Sequence, residues 1–179
     1  MDIYKQKWTR LQNEIFSFLC VKAGEEFSQR EMANSLKVSP TAVANSLKGL
    51  ANENLIKVEG GKNTNLVSFN RDDGRTIELK RVENLRQIYE SGLTGFLEDS
   101  FPGCVVILFG SYSFGEDTIQ SDIDIAVVGC KEKNIDLAKF EKILGREITL
   151  NFYPSFGEIH KNLRENIFNG ILLSGGVEL

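Results

Sequence analysis

The chain has 179 residues, 41% of them hydrophobic and 26% charged, an ordinary balance for a soluble globular protein of one large or two small domains. The first 70 residues hold nine Lys/Arg and seven Asp/Glu, and the remainder twelve and eighteen, so the N-terminal part offers nucleic acid only a weak electrostatic footprint. Cys20, Cys104 and Cys130 are far apart and odd in number, which argues against a disulfide framework or a zinc site. No apolar run reaches the ~18–20 residues of a membrane span, so a cytoplasmic protein without membrane contact is expected.

In chain order, Trp8, Leu11, Ile15, Phe18 and Leu19 recur at helical steps and predict a helix from about Tyr4 to Lys22, ended by Ala23-Gly24. Ser28 with Glu31 three residues on reads as a capping box. The short helix after it turns Met32, Ala33 and Leu36 inward. Ser39-Pro40 caps and opens the next helix, striped by Ala42, Val43, Leu47, Leu50 and Leu55. Strands at Asn54–Val58 and Asn65–Phe69 flank a turn at Gly60-Gly61-Lys62-Asn63. Phe16, Phe18, Phe27, Phe69 and Trp8 fall on inward positions and read as core.

A polar turn at residues 70–74 is followed by a helix from Arg75 to about Ser91. Its expected apolar set is Ile77, Leu79, Val82, Leu85, Ile88 and Tyr89. Gly92 interrupts it, and Leu93, Phe96 and Leu97 continue to Phe101-Pro102-Gly103. A long helix between two modules suits an interface between domains or subunits, so a homodimer or a partner protein is open.

Beyond residue 103 the order strand, helix, strand, helix, strand, helix, strand predicts a small mixed α/β sheet. The expected elements are strands at Cys104–Phe109, Asp122–Val128 and Glu147–Tyr153, helices ending at Gly145 and spanning about Ser155–Asn169, and a last strand at Ile171–Leu173. Asp122 and Asp124 alternate with Ile123 and Ile125, so both carboxylates project from one face of a strand. Two unpaired carboxylates on one face repel unless a cation lies between them, and hard oxygen ligands suit Mg²⁺. Gly110-Ser111, between an apolar strand and a helical turn expected near Tyr112, offers backbone N–H groups and a hydroxyl to phosphate. Phosphate cradle and two-carboxylate site together suggest phosphoryl or nucleotidyl transfer. Glu116 and Asp117, close by, are explained by solvation or by helix N-terminal charge, and the lone His160 receives no role.

Gly110, Ser111, Asp122 and Asp124, with ten residues between Ser111 and Asp122, resemble the minimal nucleotidyltransferases of the DNA polymerase beta superfamily. The resemblance runs over residues 103–179. It implies Asp122 and Asp124 as catalytic metal ligands for Mg²⁺, Gly110 and Ser111 as phosphate ligands, and transfer of a nucleoside monophosphate from a triphosphate, ATP above all, to a hydroxyl. The chain departs from that family at two positions. The third acid of the family falls at Thr149, unless a shifted register lets Glu147 substitute. The Arg common after Gly-Ser-x-x is Phe114, leaving Lys131, Lys133 or Arg146 to approach from elsewhere. The alternative is therefore a catalytically degenerate nucleotide- or partner-binding regulator, or an antitoxin-type protein.

Phe27 to Phe69 resembles a winged helix-turn-helix. That resemblance implies a recognition helix from Ser39 to Asn54 that presents Thr41, Asn45, Ser46 and Lys48 to DNA, with Lys62 and Asn63 at the wing tip. Winged helices also serve in dimerisation and protein docking. The expected organisation is an α+β chain with a winged helix-turn-helix over 1–70 (three helices plus a β-hairpin wing), a helical connector over 71–102 and a nucleotidyltransferase-like domain over 103–179.

Overall fold

The computed structural model describes residues 8–60 and 65–176. It divides into two compact units, Met1–Lys80 and Arg81–Leu179, so the boundary falls inside a helix.

In the first unit, α1 (Arg10–Val21) starts at Thr9, whose hydroxyl accepts from Gln12 N while the Gln12 side chain accepts from Thr9 N. The same reciprocal cap joins Ser28 and Glu31 at the start of α2 (Gln29–Leu36), as the sequence predicted. Ser39 caps α3 (Pro40–Asn52), with Pro40 in the first turn, where its missing N–H is not needed. Ile15, Phe16, Leu19, Met32, Val43, Leu47 and Leu50 close the core between these helices, with Trp8 packed on Phe16 at 5.1 Å. The expected first four residues of α1 lie outside the described ones, and Trp8 precedes the helix.

The hairpin is β2 (Ile56–Gly60) with β3 (Asn65–Phe69), antiparallel, Val58 opposite Val67. A three-residue strand missed in the sequence, β1 (Glu26–Ser28), pairs with the other edge of β3, giving the order β1-β3-β2.

Helix α4 (Gly74–Ser91) differs from expectation in its buried face. Ile88 is buried and Ile77 and Leu79 pack against the core of the first unit as expected, but Val82 is 66% and Tyr89 51% exposed, and the polar Thr76, Lys80 and Asn84, in line with Ile88 at four-residue steps, are buried. A helix packs whichever face can satisfy its neighbours, and here polar side chains with partners displace apolar ones. Gly92, in the left-handed region at φ 78, separates α4 from α5 (Leu93–Ser100).

The second unit contains β4 (Val105–Phe109), α6 (Gly110–Phe114), β5 (Ile123–Val128), α7 (Ala138–Leu144), β6 (Ile148–Tyr153), a 3-10 turn (Phe156–Glu158), α8 (Lys161–Phe168) and β7 (Ile171–Ser174). The single helix expected over 155–169 is thus split, with His160 exposed at the start of α8. The sheet order is β6-β5-β4-β7. Only β5 and β6 run parallel, so the expected mixed sheet forms. Ile123, Ile125 and Val127 face one core with Val106, Leu108, Leu93, Leu97, Phe140 and Ile148. Ala126 and Val128 face the opposite core with Ile107, Phe109, Ile159 and Ile167. The alternation predicted at Asp122 therefore holds, and both carboxylate positions share the second face.

Ile125 is fully buried, so Ile125→Ala should cost about 2–5 kcal/mol. Urea unfolding should show the midpoint of the second unit lowered with an unchanged slope; an unchanged midpoint would contradict this packing.

Candidate active site

The two halves of the motif meet at the end of β4 and the start of β5, where Phe109 pairs with Asp124. Gly110 follows at once, at φ 71. A Cβ placed there would stand 2.7 Å from Asp124 Oδ2, so only glycine permits this approach. Asp124 is half-buried and Asp122 exposed. Burial first, and then the charge of Asp122, push the Asp124 carboxyl above its usual range.

Across the parallel pair, Thr149 stands opposite Asp124, so the position expected to hold a third acid holds a hydroxyl. The register does not shift to bring Glu147 there; its carbonyl accepts from Ile123 N, one residue before the strand begins. Among the described residues no third His, Cys, Asp or Glu completes a metal-binding group with the pair. The two carboxylates, Asp124 with its carboxyl pushed up, still fit a divalent cation whose other ligands come from substrate oxygens and water. Tyr153 lies further along the same face of β6, and its phenol is pushed up by burial first and then by the charge of Asp124.

Helix α6 spans only Gly110–Phe114. It starts at Gly110 rather than near Tyr112, and it is too short to build a full macrodipole, so it offers an anion only local N–H groups and the Ser111 hydroxyl.

The cations proposed to replace the missing Arg are elsewhere. Lys131 and Lys133 follow the far end of β5, and Lys133 Nζ donates to Ser100 O at 3.3 Å. Arg146 is buried, ion-paired to Asp117 at 2.8 Å, and donates to the carbonyls of Thr118 and of Ser121. Asp117 is therefore not a solvated surface acid. It is 1% exposed and also accepts from Asn84 Nδ2 at 2.7 Å, while the same amide nitrogen donates to Tyr112 O at 2.9 Å. Arg146, Asp117 and Asn84 fix the loop between the two motif halves. No spacing rule singles out such long-range partners; the one available signal was an acid inside an otherwise short loop.

On α3, Thr41, Asn45 and Lys48 are exposed at helical spacing on one face. Ser46 is half-buried, and its carbonyl accepts from Gln12 Nε2 at 3.4 Å, which places it toward α1 rather than on that face. Lys62 and Asn63 lie outside the described residues.

Residues 91–173 match the nucleotidyltransferase domain family. The match covers just under half of the chain and includes Gly110, Ser111, Asp122 and Asp124. No curated protein matches the chain. Among solved structures, a mutant of ZitR from Lactococcus lactis is similar at 23% identity and a TM-score of 0.41, over 56% of this chain. The match spans 65% of that structure's length. Among the described residues no helix is long and apolar enough to cross a membrane.

Two outcomes test the site. Gly110→Ala should cost about 1–2 kcal/mol for the left-handed backbone and push the Asp124 carboxylate aside, so the Mg²⁺-dependent nucleotide binding proposed below should fall far more than stability. The raised carboxyl of Asp124 penalises the folded state when ionised; the penalty is present above its folded pKa and is relieved as pH falls through it. Asp124→Asn should therefore raise the melting temperature of the metal-free protein at pH 7, and the gain should vanish in acid. A melting temperature lowered at pH 7 would contradict the burial and repulsion argument.

Proposed function

We propose that the second unit transfers a nucleoside monophosphate from a nucleoside triphosphate, ATP foremost, to a hydroxyl acceptor, with Mg²⁺ held by Asp122 and Asp124. The observation that carries this reading is the 2.7 Å approach between the Gly110 Cβ position and Asp124, which brings the phosphate turn and the carboxylate pair into one site. The match of residues 91–173 to the nucleotidyltransferase domain supports it. In the reaction the acceptor oxygen forms a bond to the α-phosphorus, the bond from that phosphorus to the bridging oxygen breaks, pyrophosphate leaves, and the hydroxyl proton passes to water. Mg²⁺, when bound, offsets charge on the phosphates and orients them. Gly110 and Ser111 bind phosphate oxygens through backbone N–H and hydroxyl. Asp122 and Asp124 orient the triphosphate through the ion they hold.

The first unit, on this proposal, is a winged helix-turn-helix that binds DNA through Thr41, Asn45 and Lys48 on α3, with Lys62 at the wing tip and Ser46 in a supporting position. The exposed face shared by Thr41, Asn45 and Lys48 supports it. The protein would act in the cytoplasm, as a homodimer or with a partner protein.

A second reading follows from Thr149. Without a third carboxylate the site lacks a base for the acceptor hydroxyl, which favours a regulator that binds nucleotide, or a partner in the manner of an antitoxin, without transfer.

The discriminating experiment is calorimetric titration of ATP, GTP, CTP and UTP with and without Mg²⁺, followed by incubation with α-³²P-labelled triphosphate. Mg²⁺-dependent binding should weaken at least about tenfold in Asp122→Ala/Asp124→Ala, a loss of about 1.4 kcal/mol. Label on an acceptor supports the transferase; binding without label supports the regulator; no binding of any triphosphate overturns both nucleotide readings. Anisotropy at low salt with genomic duplex fragments tests the first unit, and its proposed DNA role falls if no fragment binds.

A further inference from the structure

The motif turn carries no cation of its own, since Tyr112, Ser113 and Phe114 follow Ser111. A basic side chain from α4 reaches it instead. The Arg81 guanidinium lies over the Phe114 ring, 5.8 Å from its centroid. Phe114 is the last residue of α6, about 6 Å along the axis from Gly110. The placement is held one helical turn later on α4, where buried Asn84 donates both to Tyr112 O on α6 and to Asp117. Arg81 and Asn84 are three apart, so they share a face.

The charge of Arg81 is also unspent. Of the four arginines in this unit, Arg86 is ion-paired with Glu83 and Glu90, Arg146 with Asp117, and Arg164 donates to Phe156 O. Arg81 contacts the ring alone, with no carboxylate partner among the described residues. A guanidinium over an aromatic face that meets no carboxylate keeps its N–H donors available, and they suit phosphate oxygens in a bidentate manner. The ring of Phe114 binds no anion itself, but it can seat a cation beside the motif turn.

We propose that Arg81, seated on Phe114, is the phosphate-binding cation of this site, and that it engages the polyphosphate of the nucleoside triphosphate in place of an arginine within the motif turn. This inference rests on the nucleotide-binding reading above. Polyphosphate recognition then comes from α4, outside residues 91–173 that match the nucleotidyltransferase domain.

The test is titration of Mg·ATP, AMP and inorganic tripolyphosphate into the full chain and its variants. Arg81→Ala should weaken Mg·ATP and tripolyphosphate about tenfold to a hundredfold, the range for a hydrogen bond to a charged group, while AMP changes far less. Arg81→Lys should recover part of the loss, because a point charge replaces a fork. Arg81→Ala/Phe114→Arg should recover most of it by returning the cation to the turn. Melting temperature, read in parallel, should be unchanged in Arg81→Lys, so a mere folding role is separated from a binding one. Equal losses for AMP and ATP, or Mg·ATP affinity within twofold of wild type in Arg81→Ala, would overturn the inference; the site itself stands where Asp122→Ala/Asp124→Ala weakens Mg²⁺-dependent binding at least about tenfold. Failure of the wild type to bind any triphosphate would overturn the nucleotide reading and this inference with it.

Discussion

The second unit depends on one buried ion pair. Asp117 and Arg146 have side chains 0% and 2% exposed, and two charges removed from water are costly unless every remaining donor and acceptor is served. Here they are largely served. Asp117 takes the Arg146 guanidinium on one oxygen and the Asn84 amide on the other. Arg146 adds the carbonyls of Thr118 and Ser121 and lies over the Tyr112 ring at 5.8 Å. The pair thereby joins four places far apart in sequence: α4, the motif turn, the loop before Asp122 and the start of β6. Removing one partner of such a pair typically costs about 3–5 kcal/mol, because the other charge is stranded. Its effect here is geometric as well. Residues 115–121, between α6 and Asp122, wind past that fixed anion, and the winding delivers the carboxylate pair to the turn at Gly110.

Most of the local structure was legible because its causes are local. Ser28 with Glu31, and Ser39 with Pro40, set helix starts through contacts three residues long. Asp122 and Asp124 share a face because strand periodicity leaves no other choice once Ile123 and Ile125 are buried. The misread parts have non-local causes. Strand β1 is three residues long and exists only because β3 has a free edge to pair with Glu26, Phe27 and Ser28. The face of α4 was assigned by hydrophobicity, but Asn84 has two partners on the motif side, so it is buried while Val82 stays exposed. Asp117 read as a surface acid because its partner lies 29 residues on, a separation no periodicity reports.

The polar face of α4 changes the sense of the missing cation. Phe114 reads in sequence as a lost function. In the fold it is one half of a pair, and the pair is registered by Asn84 from the same helix that supplies Arg81. Moving a cation from the motif turn to α4 separates two tasks that one residue would otherwise carry. The turn keeps the close backbone approach that Gly110 allows, and α4 brings the charge.

Electrostatics makes that charge matter. Residues beyond 70 hold eighteen acidic side chains against twelve basic ones, and the carboxylate pair adds repulsion where an anionic ligand must arrive. A polyphosphate approaching this surface meets a field of its own sign. On the proposed reading, Mg²⁺ at Asp122 and Asp124 would offset part of that field, but no third carboxylate stands at Thr149 to add a further ligand. With fewer protein ligands on the ion, more of the ligand's binding must come from direct contacts to its phosphates. The short helix α6 supplies few, since five residues build little dipole. The half-buried side chain of Arg81, with its guanidinium over Phe114 and its donors unclaimed, is the feature of this unit best able to supply the rest.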